Sequence, residues 1–362
     1  MTYYQTNDLT IYNGDALAVL KTLPPESVNC VVTSPPYWGL RDYGVDGQMG
    51  LESSMQDHLS ALVSVFAEVK RVLRNDGTCW INYGDTYLRQ QGLGFNANKR
   101  LDQGSLNIKI KSPLPEGNIL GLPWRLAFAL QDDGWILRQD IVWYKPNPMP
   151  ESVKNRCTKA HEYVFLFVKQ PKYYCEQLTE LRVSQDNNPP RGSNGTPHPY
   201  GGRRQDPPVM GSMGAPDNRN TGKRDKGNNK TFRGGLYTNG SSFDNNGAKH
   251  KTSIGQKPAD SIFRNKHSVW TVPIQGGFTD SFDGEHYATF PPTLIDPCIS
   301  AGCPEGGIVL DPFFGSGTVG EVAHNQNKRC IGIELNPDYC AIAKRRLQDP
   351  VEQMIEMAGN VK

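Results

Sequence analysis

The chain has 362 residues, enough for one large α/β domain with an insertion or for two domains, and at this length a sizeable core can form. Its formal net charge is only +2, which excludes a whole-molecule polyelectrolyte role. No basic-then-apolar leader opens it and no apolar run approaches the ~18–20 residues of a membrane span, so a cytoplasmic protein without a membrane partner is expected.

In chain order, Leu9 to Tyr12 reads as a short strand ending at Asn13-Gly14-Asp15. Val28 to Val32 is a largely apolar run, a buried strand, and it leads into Thr33-Ser34-Pro35-Pro36-Tyr37-Trp38. Consecutive prolines donate no backbone hydrogen bond and hold the chain extended, while their carbonyls stay free to accept. Tyr37 and Trp38 then offer flat faces, so the segment suits a planar ring that carries an amino group. Ser-Pro-Pro also occurs in surface loops and polyproline ligands. The buried strand before it argues against an exposed ligand.

Met55 to Leu73 carries Leu59, Leu62, Val63, Phe66, Val69, Val72 and Leu73 at helical spacing, and Asn75-Asp76-Gly77 is expected to stop it. Thr78 to Tyr83 is a strand, Leu122 to Leu130 a helix with Pro123 in its first turn. Trp135 to Tyr144 and Tyr163 to Val168 are strands whose link, Lys145 to His161, has little room for a long helix, so an antiparallel pair is expected.

Composition changes near Ser184. From Asp186 to Ser268 there are fourteen Lys/Arg against six Asp/Glu, with much Gly and Asn and few aliphatics. A flexible linker is one reading. The other is a basic arm for DNA, with Arg203, Arg204, Lys223, Arg224, Lys226, Lys230 and Arg233 meeting phosphates or bases. The expected division is residues 1–183, an insertion at 184–268, and residues 269–362.

After Trp270 regular structure resumes. Pro291 to Ile299 reads as a helix, Ile308 to Leu310 as a short buried strand, Val319 to Asn327 as a helix, Cys330 to Ile333 as a strand ending at Glu334, and Asn336-Pro337 as the start of a helix to about Leu347. Between the first strand and its helix lies Asp311-Pro312-Phe313-Phe314-Gly315-Ser316-Gly317-Thr318. Strand, glycine turn, helix, strand, acid is a mononucleotide-binding arrangement, and Gly315, Gly317 and Gly320 spell G-x-G-x-x-G. That pattern alone also fits a nicotinamide-binding protein. Asp311 ahead of the glycines suits a cationic amino-acid moiety better than a pyrophosphate, which favours S-adenosylmethionine. Glu334 can accept from ribose hydroxyls under either reading.

Together these residues resemble the amino-group (N4-cytosine/N6-adenine) DNA methyltransferases of restriction–modification systems and phages, in their beta-type circular order. Ser34-Pro35-Pro36-Tyr37 matches the catalytic motif, Asp311 to Thr318 the cofactor motif, and Glu334 the ribose-binding acid. Ala288-Thr289-Phe290-Pro291 resembles the segment beside the methionine end of the cofactor, and Asn13-Gly14-Asp15 the turn whose acid meets the adenine amino group. The resemblance implies a Rossmann-like, circularly permuted α/β sheet with a basic recognition insertion, and a flipped base in double-stranded DNA as acceptor. It implies cofactor contacts from Asp15, Thr33, Phe290, Asp311, Phe313, Gly315, Ser316, Gly317, Thr318 and Glu334. Trp38 or Tyr43 would help close the base pocket. A cognate restriction endonuclease would act separately, and a homodimer is left open. RNA and protein methyltransferases with Asn-Pro-Pro-Tyr-like motifs usually place the cofactor motif first. Ser-Pro-Pro-Tyr goes mainly with cytosine N4 and Asp-Pro-Pro-Tyr mainly with adenine N6, so cytosine is favoured and adenine is the alternative.

Carbon-5 methylation needs a cysteine nucleophile. The only Pro-Cys pair, Pro297-Cys298, falls in an expected helix and reads as a core thiol. The eight cysteines are scattered without Cys-x-x-Cys, so free thiols and no metal site are expected.

Overall fold

Strands buried on both faces read as continuous apolar runs, and the strands that bracket the expected site are of this kind. The computed structural model describes residues 1–40, 43–88, 113–181, 263–274 and 290–348. The chain divides into two units, Met1–Thr179 with Asn265–Lys362, and Glu180–Arg264. Of the second, only the two ends are described, where Arg264 pairs with Glu180 at 2.8 Å.

In chain order the first unit holds β1 (Thr2–Gln5), β2 (Leu9–Asn13), α1 (Ala16–Leu20), β3 (Val28–Thr33), α2 (Met55–Val72), β4 (Leu73–Tyr83), α3 (Leu122–Asp132), β5 (Ile136–Tyr144) and β6 (His161–Val168). Strands β7 (Thr179–Leu181) and β8 (Phe263–Asn265) form a separate ladder. Then come β9 (Val269–Thr271), α4 (Pro292–Gly302), β10 (Ile308–Asp311), α5 (Thr318–Asn325), β11 (Arg329–Glu334) and α6 (Pro337–Leu347). The nine-stranded sheet runs β1-β2-β11-β10-β3-β4-β6-β5-β9. The pairs from β2 to β4 are parallel, as is β5 with β9, whereas β1 and β6 run against their neighbours. The expected antiparallel pair of β5 and β6 is present, Val142 opposite Tyr163.

Side chains alternate between the two faces of a strand. Val31, Cys79, Ile81 and Leu310 pack against α1, α2 and α3. Cys30, Val32, Trp80 and Val309 pack against α4, α5 and α6. This makes a three-layer α/β/α core. Helix α2 starts at the Ser54 cap, whose hydroxyl accepts from Asp57 N at 3.1 Å. Leu59, Leu62, Phe66, Val69 and Val72 fill its buried face. The helix ends at Val72 and β4 begins directly at Leu73, earlier than the Asn75-Asp76-Gly77 stop suggests. Leu73 already pairs with Val28, and the register then shifts before Thr78 meets Cys30. Gly77 sits in that irregular stretch because a Cβ there would lie 2.6 Å from the Leu73 side chain and 2.8 Å from Asn29 O.

This topology fixes the position of a binding crevice. From β10 the chain leaves through α5 to β11 on one side. From β3 it leaves through α2, on the opposite face, to β4 on the other side. Ligands in open α/β sheets bind beyond the carboxyl ends of strands at such a reversal. Here that is where Asp311 and Thr33 end their strands side by side.

Candidate active site

Asp311 ends β10 with only 2% of its surface exposed. Its Oδ1 accepts from Thr33 Oγ1 at 2.6 Å and from Phe313 N at 3.0 Å. Burial pushes this carboxyl up to about 7, against the pull of those two hydrogen bonds, and the nearby Glu334 charge adds to the rise. Thr33 is itself fully buried and spends its hydroxyl on Asp311, so it orients the acid that a ligand would meet.

The glycine turn follows. Gly315 and Gly317 have φ of 52° and 85°, and Gly317 caps α5. Gly315 N donates to Glu334 Oε2 at 2.7 Å, and Asn336 N donates to Oε1 at 2.8 Å. Burial raises the Glu334 carboxyl above the usual range despite these donors. Gly14 N donates to Glu334 O at 2.9 Å, and Asn13 Nδ2 reaches Glu334 O and Leu335 O. The Asn13-Gly14-Asp15 turn is thereby stitched to the end of β11. Asp15 is exposed and caps α1, its Oδ1 accepting from Ala18 N at 2.8 Å.

Ser316 and Thr318 turn their hydroxyls toward α6. Both are 4% exposed, and their hydroxyls accept from the Arg346 guanidinium at 3.4 and 3.2 Å, which also pairs with Glu321. Their side chains tie α5 to α6. Phe313 is half-buried against the α1–α3 side of the core, and Phe290 packs against the α4–α6 side. Ala288 and Thr289 lie outside the described residues, as do Arg203, Arg204, Lys223, Arg224, Lys226, Lys230 and Arg233.

On the acceptor side, Ser34 is half-buried, Pro35 buried, and Pro36 and Tyr37 half-buried. Gly39 N donates to Gly50 O at 2.6 Å, which braces the segment from behind. Tyr37 donates its hydroxyl to Glu162 Oε2 at 2.8 Å and lies edge-on to Tyr83, at 86° and 5.1 Å. Burial first, then the Glu162 charge and hydrogen bond, raise the Tyr37 phenol well above its ordinary value, so it stays a neutral donor.

Trp38 does not line the pocket as its sequence position suggests. It is 1% exposed, sits in the core beneath, and donates Nε1 to Glu52 O at 2.9 Å. An indole buries more apolar area than a surface wall would use, provided its N–H finds a partner. Tyr43 is half-buried and lies edge-on to Tyr339 of α6 at 6.2 Å.

Sequence reading missed two groups here. Glu162 is bonded by Lys145 at 2.5 Å as well as by Tyr37, and Glu52, His58 and Tyr83 form a chain behind the ring, with links of 2.9 and 2.8 Å. His58 is fully buried. The available signal was Glu162 standing in an otherwise apolar and aromatic strand, HEYVFLFV.

All eight cysteines are free and six of them are buried. Cys298 lies inside α4, 1% exposed, with Sγ directed at Leu294 O, and burial pushes its thiol well up. A buried, protonated thiol is no nucleophile. Cys298→Ser is therefore expected to keep methyl-transfer activity within about threefold, and complete loss would reverse this assignment. Among the described residues no group of His, Cys, Asp or Glu could hold a metal ion, and no helix is long and apolar enough to cross a membrane.

This geometry has counterparts among known proteins. A family model described as DNA methylase, of the N6/N4 type, matches residues 28–345. Type II methyltransferase M.Cfr9I of Citrobacter freundii is 40% identical over 359 residues, covering 98% of this chain and 93% of that protein. M.XycI of Xanthomonas campestris pv. cyanopsidis is 42% identical over 354 residues, covering 97% and 91%. Among solved structures, PvuII DNA methyltransferase (cytosine-N4-specific) shares the fold with a TM-score of 0.57 at 17% identity, covering 96% of this chain and 89% of that one. A putative DNA modification methylase of Thermus thermophilus, solved in complex with S-adenosyl-L-methionine, has a TM-score of 0.50 at 20% identity, covering 93% and 92%. A Rossmann-like sheet with a buried carboxylate at its switch point, and a Ser-Pro-Pro-Tyr segment leaving the end of the neighbouring strand, thus has a family: the chain belongs to the N6/N4 DNA methylases, site-specific DNA methyltransferases that use S-adenosylmethionine.

Proposed function

We propose that this chain methylates the exocyclic N4 of a flipped cytosine in duplex DNA, with adenine N6 as the second reading. The observation that carries it is the 2.6 Å bond from Thr33 to Asp311, which couples the acceptor strand to the cofactor strand at the crevice. The residues present fit the cofactor. Asp311 and Glu334 are buried carboxylates that both favour a ligand bringing positive charge and hydroxyl donors, and would repel a pyrophosphate. Bound S-adenosylmethionine supplies an activated methyl group on a sulfonium. Asp311 would hold the cationic end, Glu334 the ribose, Asp15 the adenine amino group, and Phe290 and Phe313 the apolar surfaces.

An exocyclic amine is a poor nucleophile because its lone pair is delocalised into the ring. Ser34 Oγ and the Pro35 carbonyl would accept its two hydrogens and favour a pyramidal nitrogen. Pro36 keeps the segment extended and Tyr37 stacks on the base, which pays a few kcal/mol to leave the duplex. Much of the acceleration comes from alignment. The methylated ammonium is acidic and loses its proton readily, so no strongly shifted general base is needed. Ser34, a neutral hydroxyl where adenine-specific relatives of this pattern mainly carry aspartate, supports cytosine. The segment 184–268 would supply target recognition, its Lys and Arg side chains neutralising phosphates. A cognate restriction endonuclease would act separately on the same site.

Nucleoside mass spectrometry on DNA from cells expressing the chain tests this. N4-methylcytosine is the expected product. N6-methyladenine would move the reading to its alternative, and the absence of both would sink it.

A further inference from the structure

Glu162 is held more elaborately than a structural carboxylate requires. It takes the Tyr37 hydroxyl at 2.8 Å and Asn82 Nδ2 at 3.3 Å on one oxygen, and Lys145 Nζ at 2.5 Å on the other. Lys145 in turn sits 4.2 Å from the centre of the Trp143 ring. The Lys145 and Glu162 side chains are only 16% and 15% exposed. Burial alone would raise the Glu162 carboxyl, but the Lys145 charge and hydrogen bond and the Tyr37 hydroxyl outweigh it and hold it below the ordinary range. Burying such a pair contributes little net stability, because desolvation offsets the attraction. A charged pair at the head of an apolar strand therefore points to a task other than holding the fold.

The Tyr37 ring is constrained in two directions. Its hydroxyl end is tied to Glu162, and its flank rests edge-on against Tyr83. Tyr83 is itself pinned by His58 Nε2 at 2.8 Å, and His58 Nδ1 by Glu52 Oε2 at 2.9 Å. Burial would raise the Glu52 carboxyl, yet the His58 hydrogen bond and the Gly50 N–H draw it below its ordinary value, so the outer anchor is also anionic. Without the Glu162 bond the ring would keep one brace, and its hydroxyl end could swing about the Cα–Cβ bond.

We propose that Glu162 is a positioning residue for methyl transfer, fixing through the Tyr37 hydroxyl the position of the ring against which the extruded base is held, while Tyr83 sets its plane. Lys145 keeps Glu162 in place. This rests on the reading of Tyr37 as the stacking residue, so the test separates the two. A misplacement of about 1 Å in a reacting assembly can cost about a hundredfold in rate.

The experiment compares Tyr37→Ala, Tyr37→Phe, Glu162→Gln and the Tyr37→Phe/Glu162→Gln double variant. Measured are single-turnover methyl transfer to duplex DNA, KM for DNA, and Kd for S-adenosylmethionine. Glu162→Gln and Tyr37→Phe are each expected to lower the transfer rate about 10- to 100-fold. KM and Kd should stay within about threefold, and the double variant should be no slower than the slower single one. A merely structural role would move KM, Kd and rate together and would give additive losses, which overturns the proposal. Parent-like rates in Tyr37→Phe overturn it too, even if Glu162→Gln fails to fold, since that variant removes only the hydroxyl. If Tyr37→Ala retains activity, the stacking reading itself fails. If only Tyr37→Ala is inactive, stacking stands and Glu162 has no part in it.

Discussion

Asp311→Asn is expected to weaken S-adenosylmethionine binding by about 10- to 100-fold while making the unliganded protein more stable at pH 8. The two effects share one cause. Asp311 is 2% exposed, and burial lifts its carboxyl to about 7. Its folded pKa lies above its unfolded value, so between about 4 and 7 the folded state holds more protons than the unfolded one. Stability of the unliganded protein accordingly falls as pH rises through that window and levels off above it. Asparagine keeps an oxygen for Thr33 Oγ1 and Phe313 N but carries no charge to bury. The gain at pH 8 should be about 1–3 kcal/mol, because relaxation reduces the full desolvation cost. The same missing charge removes a charge-assisted contact worth about 1.5–3 kcal/mol to a cationic ligand, which at 1.4 kcal/mol per tenfold is about 10- to 100-fold. In the parent, affinity should climb from pH 5.5 to about 7 with proton release on binding. In Asp311→Asn that slope should shrink to what Glu334, which is shifted the same way, still contributes. Calorimetric titration across pH and thermal unfolding without ligand check both arms. Parent-like affinity in the variant would mean that the cation's partner lies elsewhere.

The residues that made this site legible in sequence are those whose roles depend on local chain geometry. Apolar runs gave β3 and β10, helical spacing gave α2, and Asp311 with two glycines at positive φ marked the turn into α5. Asn336 caps α6 where Asn-Pro suggested it, accepting from Asp338 N at 2.9 Å. What escaped depends on partners far along the chain. Strand β9 has three residues and exists because it pairs with β5, more than a hundred positions earlier. Strand β1 is short and mostly exposed, and it gains its partners from β2. Helix α1 has five residues and no room for a period to show. Glu162 meets Tyr37 across 125 positions, so nothing local announces their bond. Trp38 misled for the opposite reason: an aromatic beside Ser34-Pro35-Pro36-Tyr37 looks functional until its burial and its bond to Glu52 O are known. Ser316 and Thr318, which the resemblance gives as ligand groups, also meet a partner far along the chain, Arg346 near the end of α6, which donates to both hydroxyls.

Gly332→Ala should cost the fold about 3 kcal/mol and weaken S-adenosylmethionine binding at least tenfold, although Gly332 lies inside β11 and is not one of the expected cofactor contacts. A methyl group there would overlap the Phe314 ring, which lies flat against the glycine. The ring has nowhere to retreat. It is 3% exposed, and a Cβ at Gly320 would lie 2.9 Å from its Cζ, so α5 closes in on the tip of the ring. Overpacking of a closed core site costs about 1–3 kcal/mol and occasionally more, and contact with a buried, rigid ring puts this change at the upper end. The damage passes directly to the site. Phe314 N donates to Ile333 O at 2.9 Å, Gly317 N donates to Phe314 O at 3.0 Å, and Gly315 between them donates to Glu334 Oε2 at 2.7 Å. Any shift of the Phe314 backbone displaces this turn and the acid it orients. The third glycine of the G-x-G-x-x-G pattern thus accommodates a phenyl ring, and Gly332 completes the slot. Phe314→Leu in the same chain removes the ring edge, so the double variant should be more stable than the sum of the two losses predicts. Thermal unfolding and cofactor titration of the three variants measure the coupling. An unchanged Tm and affinity in Gly332→Ala would show that the ring moves freely, and with it the account of how the turn is held in place would fall.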